Sequence, residues 1–384
     1  MRIGIDARFY GSIGKGLGRY TEKLIAHLES TDSENQYVIF LRRENFGEYV
    51  PSRKNFQKAL ADYAWYGWRE QMLFPFVLFR YRFDLMHFPH FNVPIFYRGK
   101  FLVTVHDLIL LRFPTVQNTT LGWVGYAFKY SLYRLVIASA LKRAVAVLTV
   151  SSFTKEDIIA RYPGTIEKIS VTREAADPHC FFVSEGESAD ILGHHGLREP
   201  SEYGRIRKYF LYVGNAYPHK NLESIIAEAE KFPEYAFVFV GKEDFFYRRL
   251  RSAIRDSRNI FFVGFVPDRD LSVLYRNAAA YLFPSRYEGF GLPGLEAMQY
   301  GLPVIATNQG SLPEIYGDAA LFFDPDREGD FERAICSFLE YSPEERTLLK
   351  RKGFARAGSF HWHDMAQETL DVYQKALIGA GVNR

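Results

Sequence analysis

Cysteine is nearly absent. Cys180 and Cys336 stand alone and far apart in a chain of 384 residues. Their spacing excludes a disulfide-stapled scaffold and a clustered zinc site, and fits a reducing, cytoplasmic compartment. Long apolar runs are also missing. The longest, Met72–Phe79 and Leu135–Leu141, fall well short of the ~20 residues that cross a bilayer. The opening MRIGIDARFYG starts on a strand-like run instead of a basic-then-apolar leader, so no signal peptide is expected. Charge of one sign is scarce too: Lys and Arg total 48 against 45 Asp and Glu, a net +3 that argues against a nucleic-acid partner. Low-complexity tracts and short-period repeats do not occur.

What is present is an ordinary globular balance, 47% apolar and 24% charged, over a length that suits two domains. Aromatics reach 16%, which serves either a thick core or a surface that meets a membrane. Short β-branched or aromatic runs alternate with helix-length amphipathic runs. The strand candidates are Arg2–Ile5, Tyr37–Leu41, Leu85–Phe88, Leu102–Val105 and Ala146–Val150, then Tyr209–Val213, Ala236–Val240, Ile260–Val263, Ala280–Phe283 and Pro303–Ala306. Helices are expected at Arg19–Leu28, Phe153–Arg161, Leu222–Lys231, Phe246–Ser257, Asp268–Asn277 and Gly294–Tyr300, with a long terminal one from Trp362 to Ile378. Such alternation predicts an α/β protein of doubly wound parallel sheets. Between Arg173 and Arg207 the alternation weakens into a Gly-, Pro- and Ser-rich stretch that reads as a linker, with a boundary near residue 177.

The strongest chemical signal is RYEGFGLPGLEAMQYGLPVIA. Glu288 and Glu296 flank seven residues that hold three glycines and a proline. Pro293 suits a first helical position, and the glycines let backbone approach a ligand. Glu288 is then expected on the loop and Glu296 in the first helical turn, where amides favour anionic oxygens. Two carboxylates there can accept hydrogen bonds from sugar and ribose hydroxyls. Lys220 follows a strand end in GNAYPHKNL, placed to stabilise a departing diphosphate. His106, at the end of FLVTV, faces the edge where open α/β sheets bind ligands. Gly14, Gly16 and Gly18 lack the spacing of a dinucleotide fingerprint, and turn geometry is a sufficient reading of them. Ser151 and Ser152 read first as helix caps.

The glutamate segment resembles the signature of retaining glycosyltransferases of family 4, which have the two-lobed GT-B fold. The similarity extends over most of the chain, through GIDARFYGSIGKGLGRY, VTVHDL, VLTVSSFTKEDI, FLYVGNAYPHKNL and FFVGFVPDRDL in the family's order. The resemblance implies two Rossmann-like domains facing across a cleft. Residues 1–177 would take the acceptor and 178–359 the nucleotide sugar, with a C-terminal helix in 360–384 packing back on the first domain. It implies that Glu288 contacts the donor sugar, that Glu296 binds the ribose, and that amides of Phe290, Gly291 and Leu292 hold sugar and diphosphate. Lys220 would grip the diphosphate. The family often adds an arginine nearby, where this chain carries Asn215 and His219; a protonated His219, or Arg19 or Arg286, would have to replace it. His106 would approach the sugar's 6-hydroxyl, and Asp107 would orient His106 or meet an acceptor hydroxyl. Gly16 is the best match to the glycine that lies beside the diphosphate, Val266 to the base-holding loop, and Ser151 has a lesser reading as a donor contact.

The expected activity is hexose transfer, first of all mannose from GDP-mannose, in polysaccharide or lipopolysaccharide assembly. UDP-sugars and dTDP-rhamnose stay open as donors. No metal or other cofactor is expected: Asp268 and Asp270 read as helix caps and Asp324 and Asp326 as a surface turn. Residues 61–143 hold ten Lys or Arg against four Asp or Glu, interleaved with aromatics, a pattern for peripheral contact with an anionic membrane. Two rival readings are a glycoside hydrolase that uses the paired carboxylates and a non-catalytic nucleotide-sugar-binding or membrane scaffold protein. Phosphorolysis with pyridoxal phosphate is disfavoured by length and by the lack of a cofactor lysine segment.

Overall fold

A computed structural model describes residues 1–114, 123–177, 181–199, 205–254 and 258–378. Cys180, the end of the helix expected at Phe246–Ser257, parts of the expected linker, and the side chains of Trp123 and Tyr126 lie outside the described residues. The chain forms two compact units, Met1–Glu174 with the residues from His361 onward, and Ala175–Phe360.

The first unit runs β1 (Arg2–Asp6), α1 (Lys15–Thr31), β2 (Gln36–Leu41), β3 (Phe56–Leu60), α2 (Trp68–Tyr81), β4 (Leu85–Phe88) and β5 (Phe101–Val105). It continues with α3 (Ile109–Arg112), α4 (Trp123–Arg143), β6 (Ala146–Thr149), α5 (Ser152–Arg161) and β7 (Ile169–Val171). Its strands pair in parallel in the order β3-β2-β1-β4-β5-β6-β7. Central strands such as Ile3–Ile5 and Leu102–Val105 are buried throughout, as sheets covered on both faces require. The order reverses between β1 and β4, which places a topological switch point beside their carboxyl ends.

The second unit holds α6 (Glu185–His194), β8 (Tyr209–Val213), α7 (Leu222–Ala229), β9 (Ala236–Val240), α8 (Phe245–Ser252), β10 (Ile260–Gly264) and α9 (Asp268–Asn277). There follow β11 (Ala280–Phe283), α10 (Leu292–Gln299), β12 (Val304–Thr307), α11 (Leu312–Tyr316), β13 (Ala320–Phe323), α12 (Asp330–Glu340) and α13 (Pro343–Ala357). Its sheet is parallel in the order β10-β9-β8-β11-β12-β13, with the switch between β8 and β11. The last helix, α14 (Trp362–Ile378), belongs to the first unit, where its buried Tyr373 hydroxyl lies 2.6 Å from Nδ1 of His87.

Three details differ from the expectations. The stretch read as a linker contains α6, opened by a capping box in which Ser184 and Glu187 each satisfy the other's backbone amide. Helix α1 begins at Lys15, so Gly16 and Gly18 lie in its first turn and not in a loop. Helix α10 begins at Leu292 with Gly291 as its cap, which puts Pro293 at the second position and Glu296 in the second turn.

Candidate active site

In the second unit, the chain leaves β8 and reaches Lys220 through a 3-10 turn, Pro218–Lys220. Asn221 then reverses it at φ +55°. The chain leaving the neighbouring strand β11 reaches Glu288. A backbone bond of 2.8 Å from the Arg286 amide to the His219 carbonyl ties the two loops together. Lys220 Nζ lies 2.6 Å from Glu288 Oε1, with the two side chains 13% and 10% exposed. The two residues that the sequence singled out 68 positions apart thus meet at the switch point.

The glycines around Glu288 have separate steric reasons. Gly291 caps α10 at φ +100°, and an added Cβ would stand 2.7 Å from the Tyr316 hydroxyl. At Gly294 the Cβ would come within 2.2 Å of the same oxygen. Tyr316 is fully buried and donates to the Gly291 carbonyl at 2.6 Å, so it fixes the loop end and the helix start together. Nothing in the sequence marked Tyr316, a residue of α11. Phe290 is buried, against Phe360; Leu292 and Glu296 are half-buried at the start of α10.

His219 cannot supply the second cation. It is 4% exposed, and burial, with Lys220 beside it, lowers its pKa to about 3. The imidazole is therefore neutral near pH 7. Arg286 is held by the Asp326 carboxylate and the Pro325 carbonyl. Asn215 is folded into its own loop, its carbonyl accepting from Tyr212 and its Oδ1 from the Tyr217 amide. Val266 is buried just before α9. That helix starts after Pro267 with no side-chain cap bond, so Asp268 and Asp270 sit in its first turn and do not cap it.

In the first unit, His106 follows β5. Its Nδ1 is 2.9 Å from Glu174 Oε1 and its Nε2 is 3.0 Å from the Pro89 carbonyl. Asp107 Oδ1 accepts from the Ile109 amide at the start of α3. The His106 ring is held at Nδ1 by Glu174. Glu174 comes from the stretch read as a linker, and only the fold brings it near. Ser151 is fully buried and caps α5, accepting from the Thr154 amide at 3.1 Å. The three glycines of the first loop also divide. A Cβ on Gly14 would strike the Phe9 carbonyl at 1.9 Å and one on Gly18 the Gly11 carbonyl at 2.0 Å, whereas one on Gly16 would meet nothing within 4 Å. Turn geometry and packing therefore account for Gly14 and Gly18 but not for Gly16.

Comparison with known proteins settles the family. Residues 14–179 match the model of Glycosyltransferase Family 4, and residues 198–356 that of glycosyl transferases group 1. The O-antigen chain mannosyltransferase B of Escherichia coli is 30% identical over 304 residues, covering 77% of this chain and 75% of that protein. The chain is a family 4 glycosyltransferase. The O-antigen chain mannosyltransferase RfbU of Salmonella typhimurium is 28% identical over 247 residues, 63% of this chain and 61% of that protein. Sucrose-phosphate synthase from Thermosynechococcus elongatus superposes with a TM-score of 0.76 at 18% identity, over 99% of this chain and 100% of that one, and shows the GT-B fold.

This glycosyltransferase moves a hexose from a nucleotide-sugar donor to a saccharide acceptor. Its second sheet presents, at one switch point, an ammonium, a carboxylate and the start of a helix, a set suited to a sugar diphosphate. Among the described residues no three His, Cys, Asp or Glu side chains come together as metal ligands. Asp324 and Asp326 form a turn through a 2.9 Å bond between them. No helix among the described residues is long and apolar enough to cross a membrane.

Proposed function

We propose that this glycosyltransferase transfers mannose from GDP-mannose to a saccharide or lipid-linked saccharide, with retention of anomeric configuration. The Lys220–Glu288 pair at the switch point carries this reading, in a chain whose relatives are named mannosyltransferases. In it Lys220 and the amides of Phe290, Gly291 and Leu292 take the diphosphate as it leaves, and Glu288 positions the sugar. Glu296 binds the ribose, the main chain at Val266 holds the base, and Asn215 lines the approach. His106 and Gly16 contribute from the first unit, with Asp107 toward the acceptor. The departing phosphate takes the acceptor's proton, so no separate base is needed. A thermal-shift series with GDP-mannose, UDP-sugars and dTDP-rhamnose tests the donor, since only a bound ligand raises the melting point. Stabilisation by GDP-mannose is expected; stabilisation by a UDP- or dTDP-sugar alone would overturn it.

Peripheral contact with a membrane, on its cytoplasmic face, is the second part of the proposal. It is supported by α2, whose Trp68, Met72, Phe76 and Phe79 recur at helical spacing and are exposed, Trp68 by 72% and Phe76 by 65%. Arg69, Arg80, Arg82 and Arg98 are exposed around them. Aromatic side chains beside arginines suit an anionic lipid surface. The protein should float with vesicles containing phosphatidylglycerol, and Trp68→Ser with Phe76→Ser should abolish this; a wild type that stays at the bottom of the gradient sinks the idea.

A further inference from the structure

Three histidines stand at the carboxyl edge of the first sheet, and their hydrogen bonds set one of them apart. His87 lies between two hydroxyls, Tyr373 at 2.6 Å and Thr104 at 2.8 Å. A hydroxyl either donates or accepts, so a neutral ring is satisfied there, and burial holds the pKa at about 3. His90, packed among the rings of Phe9, Tyr66 and Phe91, is lowered to about 3 by burial as well. Both are neutral at physiological pH.

His106 faces two acceptors. The Pro89 carbonyl can only accept, so Nε2 carries a proton. Opposite it, Nδ1 meets the Glu174 carboxyl, 5% exposed, across 2.9 Å. An ionised carboxylate there requires a proton on Nδ1 too. The ring then has no lone pair left and is an imidazolium. The groups around it agree. Tyr20 of α1 lies edge-on at 4.7 Å between ring centroids. Thr154 of α5 donates to the His106 carbonyl at 3.3 Å. His87 and His90, from β4 and the loop after it, are the neutral neighbours just described. The charges that favour a proton on the ring are those of Glu174 and Asp107. Burial lowers the His106 pKa, yet the hydrogen bond and charge of Glu174, the Pro89 carbonyl and Asp107 together raise it above its ordinary value.

We propose that Glu174 is a positioning residue for transfer, fixing His106 as a doubly protonated ring whose two N–H groups are held by Glu174 and the Pro89 carbonyl, so that it acts through its positive charge and never as a base. The proposal rests on the donor-side role given to His106 above. It places a positive charge on the first sheet's edge, in an enzyme where His219 of the second unit is neutral. Because the folded pKa is raised, the charge is complete at low pH and is lost as pH rises through that raised value.

The test is an imidazole 15N titration of the whole enzyme between pH 5 and 9, with His106 assigned by its loss in His106→Gln. In the wild type His106 should titrate above the ordinary histidine value of about 6.5, and in Glu174→Gln below it, a change of at least tenfold in proton affinity. The alkaline limb of kcat/KM should move down with it. A wild-type ring that titrates at or below about 6.5 would overturn the proposal even if the variant fails to fold. So would a titration unmoved by Glu174→Gln, or an alkaline limb that stays put while the ring's pKa falls. The ring signals need no donor, so a wild type inert toward every nucleotide sugar counts against the donor assignment alone.

Discussion

At the carboxyl edge of the first sheet Arg8 is fully buried, bonded to both Asp6 oxygens at 2.7 Å and to Glu70 at 2.6 Å. Asn92 completes the Glu70 carboxylate with bonds of 2.8 and 2.9 Å. At the same edge of the second sheet Lys220 and Glu288 pair directly, with side chains 13% and 10% exposed. The first network joins β1, the first turn of α2 and the loop after β4, and its guanidinium and both of its carboxylates have protein partners that it would be costly to lose. The second joins only two loops, the one that follows β8 and the one that follows β11. Two sheets wound the same way therefore differ in what their charges do: one edge is braced by a buried network that reaches a helix, the other carries its pair between two loops.

The comparison breaks first at Arg8. Arg8→Met leaves Asp6 and Glu70 buried without their cation and should cost about 3–5 kcal/mol, the usual penalty for removing one partner of a buried pair. Urea denaturation followed by far-UV circular dichroism measures it; a loss below about 1 kcal/mol would show that the edge is no rigid scaffold. Glu288→Gln should act the other way. Its fold should persist, because glutamine keeps the shape and a hydrogen-bond acceptor for Lys220, while kcat drops on the order of 10²–10³-fold, the scale of one preorganised electrostatic contact. Near-normal turnover would remove Glu288 from the site.

The same contrast governs what could be read in advance. The central strands were legible almost to the residue, since Leu85–Phe88, Tyr209–Val213, Ala236–Val240 and Ala280–Phe283 are apolar runs buried on both faces. Three of the four edge strands, β3, β7 and β13, gave no such signal: β3 sets exposed Gln57 and half-exposed Lys58 between buried Phe56 and Ala59, and β7 is three residues long. Helix α2 was hidden because it is apolar on both its buried and exposed sides and carries Pro75 in its interior. The capping box of α6 was present as Ser184 and Glu187 but lay in a stretch dominated by glycine and charge. Lys220, Glu288 and Glu296 were legible because glycine and proline punctuate the loops around them. Glu174, Tyr316 and the Arg8–Glu70 pair were not, because each works through a partner at least 25 residues away in sequence, and no local pattern encodes such a meeting.

The glycines sharpen the comparison at the smallest scale, and two alanine substitutions should move in opposite directions. Gly294→Ala drives a Cβ to 2.2 Å from the Tyr316 hydroxyl. That ring must shift and loosen its bond to Gly291, at about 1–3 kcal/mol for overpacking, and turnover should fall with stability. Gly16→Ala adds a methyl where the nearest atom is beyond 4 Å, in the first turn of α1, where alanine is the better helix former by up to about 1 kcal/mol. Its melting temperature should hold or rise. If that open space is kept for donor or acceptor, kcat/KM should nonetheless decline, separating stability from activity in one variant. Unchanged kcat/KM would return Gly16 to the scaffold and leave the first edge without a glycine reserved for ligand.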